Sequence, residues 1–110
     1  MKRLSIVLAA AVLGACASSN ESMMYKPAHW RGPDWDIAGA ASPGTAGDAV
    51  TLTVNGKDVA HGLLTARQPQ SVLKGSYEGY DVAADCSLMQ EKKVGCAVSV
   101  GDQAAGKIVF

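Results

Sequence analysis

A chain of 110 residues with ten basic and ten acidic side chains carries no net charge. It therefore has no polycationic surface to neutralise a phosphate backbone, and nucleic acid is excluded as an expected partner. The length allows one small domain, and with a single Phe and no apolar stretch near the roughly 20 residues a membrane-crossing helix needs, its core must be modest.

The chain opens on Lys2 and Arg3, continues through the apolar run Leu4-Ser5-Ile6-Val7-Leu8-Ala9-Ala10-Ala11-Val12, and reaches Leu13-Gly14-Ala15-Cys16. This combination resembles a bacterial lipoprotein signal peptide with its lipobox. The resemblance implies that residues 1–15 are removed, with Leu13 as the apolar position before the cut and Gly14 and Ala15 as the small ones. Cys16 becomes the first residue, alkylated through its thiol by diacylglycerol and usually acylated on its amine. Two or three acyl chains make a stable membrane anchor where one does not. Ala17, where an Asp could stand, matches lipoproteins passed on to the outer membrane, with the protein facing the periplasm. Ala15-Cys16-Ala17 also fits ordinary secretory cleavage, which would release a soluble periplasmic protein.

Cleavage before Cys16 would leave eight basic against ten acidic side chains. Cys86 and Cys96 would then be the remaining thiols, and an exported compartment makes a disulfide between them the expected state. Such a bridge, closing about ten residues, should contribute roughly 2 to 3 kcal/mol. Its spacing is not the Cys-x-x-Cys of a redox centre.

Residues 16–47 read as the lipidated N-terminus and a flexible tether. They are rich in Ser, Ala, Gly and Pro and show no sustained periodicity. Inside this segment lies His29-Trp30-Arg31-Gly32-Pro33-Asp34-Trp35-Asp36-Ile37, which holds both tryptophans. Trp is enriched at interface hot spots, so Trp30 and Trp35 are candidates for docking on a partner or the cell wall. They could equally fold back over one end of the domain, or sit at the lipid interface beside the anchor. His29, Asp34 and Asp36 share no recognised metal-ligand spacing.

Residues 48–110 change to period two and form the expected β-domain. Val50, Leu52 and Val54 alternate with Thr51 and Thr53 before Asn55-Gly56, a strong hairpin turn. A return strand follows over residues 58–65, then strands over 71–78 and 80–87 about a turn at Glu78-Gly79. Leu73, Gly75 and Tyr77 then share a core face with Tyr80, Val82, Ala84 and Cys86. A fifth strand over residues 94–100 turns at Gly101-Asp102-Gln103 into a sixth, placing Gly106, Ile108 and Phe110 opposite Val98, Cys96 and Val94. The hairpin beginning at Thr51 is echoed by the one beginning at Ala97. The pattern predicts a mostly β fold, a six-stranded antiparallel meander curled into a small barrel or sandwich. Gly62, Gly75 and Gly106 would allow its bends.

No nucleophile elbow, phosphate-cradling loop, zinc motif, paired acids or cofactor motif is evident, and His61 is expected on the outer face. The chain is therefore read as no enzyme and as needing no cofactor. Tyr77 and Tyr80 form a cross-strand aromatic pair across their turn, which could also grip a sugar or a protein loop. The preferred expectation is a non-catalytic envelope lipoprotein, held to the membrane at Cys16, whose β-domain binds or supports another envelope component. The alternatives are a periplasmic inhibitor of a lytic enzyme such as lysozyme, acting through the loop at residues 87–93, and a small-ligand or sugar binder.

Overall fold

The structure is a computed structural model and describes residues 21–110; the expected signal peptide and Cys16 lie outside the described residues. Eight strands run in chain order among the described residues: β1 (Glu21–Tyr25), β2 (Trp35–Pro43), β3 (Asp48–Val54), β4 (Lys57–Leu64), β5 (Gln70–Tyr77), β6 (Tyr80–Leu88), β7 (Val94–Val100) and β8 (Gln103–Val109). Within each of two four-stranded sheets, β1-β2-β3-β4 and β5-β6-β7-β8, every strand pairs antiparallel with the next.

The mostly β class holds, while the strand count and the closed barrel do not. Residues 21–25 and 35–43, expected within a flexible tether, are strands of the first sheet. In β2, Trp35, Ile37 and Gly39 are buried and alternate with Asp36, Ala38 and Ala40, which is the period-two signature of a half-buried strand. The signature is faint in the sequence because the inward position at 39 is a glycine. A Cβ there would lie 2.2 Å from the Phe110 ring, so the volume at that position comes from the last residue of the chain.

The second sheet follows the expected registers. Tyr77 pairs with Tyr80 across Glu78-Gly79, and Cys86 faces Cys96 and is bonded to it. Gly106 and Ile108 lie opposite Val98 and Cys96, and Val94 and Phe110 exchange backbone hydrogen bonds of 2.7 and 2.9 Å. The last turn has two residues, Gly101-Asp102, rather than three. A bulge at Ala105 supplies the extra residue and restores the register.

The two sheets are built to one plan. Ile37, Gly39 and Ala41 pair with Val54, Leu52 and Val50, as Val82, Ala84 and Cys86 pair with Val100, Val98 and Cys96. The closing hairpins both have two-residue turns, and the bulge falls on Val59 in one and Ala105 in the other. The Asn55 N–H donates to the Asp36 carbonyl at 2.8 Å, and the Gly101 N–H donates to the Asp81 carbonyl at the same distance. The echo between the last two hairpins thus extends to whole sheets.

No hydrogen-bonded ladder joins the sheets among the described residues, so the barrel is not closed. Instead β4 lies along β5 and β8 along β1, each first strand against the last strand of the other sheet. Glycine permits these approaches. A Cβ on Gly75 would meet the Val59 carbonyl oxygen at 2.0 Å, and one on Gly106 would meet the Met23 sulfur at 2.8 Å. Between the sheets a single core gathers Ile37, Leu52 and Leu64 from one with Leu73, Val98 and Ile108 from the other.

Candidate functional site

The four aromatic residues singled out in the sequence meet at one end of the sandwich. Trp35 opens β2 and pairs with Tyr25, so its indole enters the core, where it is 0% exposed. Tyr77 and Tyr80 flank a turn whose two residues, Glu78 and Gly79, both have positive φ, 51° and 83°. This is the primed turn that matches strand twist and keeps cross-strand side chains together. Trp30 sits on the β1–β2 connection and folds back over the same end.

The rings pack edge to face. Trp35 lies 5.0 Å from Tyr77, 5.4 Å from Tyr80 and 5.6 Å from Trp30 between ring centroids, and Trp30 lies 6.3 Å from Tyr80. Interplanar angles run from 73° to 89°, the arrangement ring quadrupoles favour. Trp30, Tyr77 and Tyr80 remain half-buried, with an edge or face toward solvent. The fold-back of the tryptophans onto their own domain is therefore realised, with Trp30 left partly accessible.

Hydrogen bonds fix the cluster. The Trp30 indole N–H donates to the Pro33 carbonyl at 2.9 Å, and the Tyr80 hydroxyl donates to the Ala28 carbonyl at 2.8 Å. Together they tie the β1–β2 connection to the second sheet. Asn55, legible in the sequence only as a turn residue, also serves as a bracket. Its Nδ2 donates to the Tyr77 hydroxyl at 3.2 Å, and its Oδ1 accepts from the Asp36 N–H at 3.0 Å. The Trp35 indole N–H is buried with no hydrogen-bond partner, which costs about 1–3 kcal/mol. The packing of four rings offsets it.

Chemically, this end offers aromatic edges ringed by exposed His29, Arg31, Asp34, Glu78, Asp81 and Asp102. Such a surface can receive a partner's apolar or cationic side chain. A flat stacking platform for a sugar would need an open ring face, and Trp35 is enclosed by its neighbours. Among the described residues, no three His, Cys, Asp or Glu side chains gather as a metal site. His61 lies on the outer face, 3.5 Å from the Thr51 hydroxyl. The Cys86–Cys96 bridge is buried near the opposite end of β6 and β7 and takes no part in the aromatic cluster.

The loop at residues 87–93, the candidate element of the alternative inhibitor reading, is also at that opposite end. Its Met89 N–H donates to the Lys93 carbonyl at 2.7 Å, and Glu91 and Lys92 have positive φ, 63° and 62°. Among the described residues no helix is long and apolar enough to cross a membrane. No family model matches the chain, and neither a curated protein nor a solved structure matches it.

Proposed function

We propose that the protein is a non-catalytic lipoprotein of the bacterial cell envelope, anchored through Cys16 to the outer membrane and facing the periplasm. Its β-domain uses the aromatic end to bind or support another envelope component. One observation carries the reading. Trp30, Trp35, Tyr77 and Tyr80 converge at the end of the sandwich reached by Tyr25, whereas the chain enters from Cys16 at the other end of β1, at Glu21. A domain so tethered carries its aromatic end outward from the anchor. Trp30, half-buried beside exposed Arg31, has the character of an interface anchor residue.

The test is photo-crosslinking in intact cell envelopes from a photoreactive residue at Arg31, with Lys74 on the flank as the control position. The expected result is one envelope component captured from Arg31, not from Lys74, and lost on Trp30→Ala. Equal capture from both positions, or capture that survives Trp30→Ala, would refute a docking role for this end. The anchor is tested separately by Cys16→Ser, which should move the protein from the membrane to the soluble fraction.

A further inference from the structure

We infer that the end of the domain opposite the aromatic cluster, formed by residues 44–47, 65–69 and 89–93, is a docking surface for an anionic phospholipid bilayer. The inference rests on the anchored reading above and adds an orientation to it.

Chain length sets the distance. From Cys16 to Glu21 there are five residue steps, at most about 18 Å fully extended. Glu21 pairs with Gly39, and β2 runs on from there to Pro43, about 14 Å further in the same direction. The turn at residues 44–47 projects beyond that. A lipid on Cys16 can therefore enter a bilayer only if the membrane lies about level with this turn or along the flank of the domain. The other two loops stand at the same level. Lys92 lines a groove of about 370 Å³ with Ala41, Pro43 and Asp48, and Leu64, which leads into residues 65–69, pairs with Asp48.

Charge chooses between end and flank. The three loops carry Arg67, Lys92 and Lys93, all exposed, against one carboxylate, Glu91, with the half-buried Asp48 behind them at a strand end. The flanks offer no such excess of base: on the first sheet exposed Lys57 stands against Asp36 and Asp58, and on the second exposed Lys74 and Lys107 stand against Asp81 and Asp85, while the connections at the aromatic end carry Lys26 and Arg31 against Asp34, Glu78 and Asp102. Near an anionic surface each accessible base is drawn in and each acid repelled, within about one Debye length. The domain therefore turns its basic end down. The left-handed backbone at Glu91 and Lys92, closed by the Met89–Lys93 hydrogen bond, holds this loop in one shape. Exposed Met89 adds an apolar side chain next to the lysines.

The protein's own tryptophans provide the test, because both lie at the far end. The full lipidated chain is reconstituted into vesicles of zwitterionic and anionic phospholipid containing a spin-labelled headgroup, which quenches tryptophan at headgroup level. The unchanged protein should keep its emission, while Thr45→Trp, at the tip of the exposed 44–47 turn, should add emission that the label quenches. That added quenching should fall about twofold or more in R67Q/K92Q/K93Q or in purely zwitterionic vesicles. Quenching of Trp30 and Trp35 in the unchanged protein, an unquenched Thr45→Trp, or quenching insensitive to charge would each overturn the docking surface. Flotation separates the two levels. A chain that fails to float with the vesicles removes the anchor and this inference together, whereas a Thr45→Trp chain that floats with its added emission unquenched removes only this inference.

Discussion

Gly39 shows how one position couples the two ends of the sequence. It belongs to β2, yet the space its side chain would fill is taken by the ring of Phe110, whose residue is 6% exposed. Gly39→Val must push the only Phe out of the core or bend β2 away from it, and overpacking of this kind costs about 1–3 kcal/mol. Thermal unfolding should show a clear loss of stability. Gly56→Ala is the matched control, because a Cβ there meets nothing within 4 Å and only the positive φ of 82° is penalised, at about 1 kcal/mol. If Gly39→Val melts no lower than the unchanged chain, the Gly39–Phe110 contact is not part of the core. Sequence patterning showed Phe110 facing Val94 but could not show its partner in the first sheet, because nothing in a glycine announces the ring that will cover it.

Among the elements, the strands after residue 48 were legible and the two before it were not. β3 and β7 present branched or sulfur-bearing side chains inward at every second residue, β5 and β6 alternate about the tyrosines that flank their turn, and the turns Asn55-Gly56 and Glu78-Gly79 fix the registers. β2 presents Gly39 and Ala41 at inward positions, and β1 is five residues long, too short for a period to stand out. The four aromatic residues of the site were legible as types. Their meeting was not, because it depends on β1 and β2 joining the sheet. Asn55 links these levels, since its backbone makes the turn while its side chain holds Asp36 and Tyr77. Asn55→Gly should keep the hairpin, for glycine tolerates the φ of 53°, and lose about 1–2 kcal/mol through the two missing hydrogen bonds. An unchanged melting temperature would mean that the bracket contributes nothing. In the second sheet the bridge between Cys86 and Cys96 staples β6 to β7. Its reduction should remove about 2–3 kcal/mol, a fall in Tm of about 10–20 °C for a domain of this size.

At the scale of the whole molecule, each four-stranded sheet has one apolar face and no helix to cover it, so neither is stable without the other. The domain boundary expected at residue 48 cuts through the first sheet. A chain of residues 48–110 would keep β3 and β4 but lose Trp35 and Ile37, both fully buried, together with the strand that pairs with β3. Val50, Leu52 and Val54 would then form the edge of a two-stranded remnant, and such remnants are marginal in water. The apolar face of the second sheet would be half uncovered, with Tyr77 and Tyr80 stripped of both tryptophans. Residues 48–110 should therefore show no cooperative thermal transition, and residues 21–110 should unfold in a single one. The common plan of the two sheets sharpens the test. If the truncated chain did fold, it should do so as a dimer in which the second sheet of one copy takes the place of the missing strands of the other, and its melting temperature would then rise with concentration. A concentration-independent transition in residues 48–110 would show instead that the second sheet carries its own core, and that residues 21–43 are as dispensable to folding as the tether reading of the sequence implied.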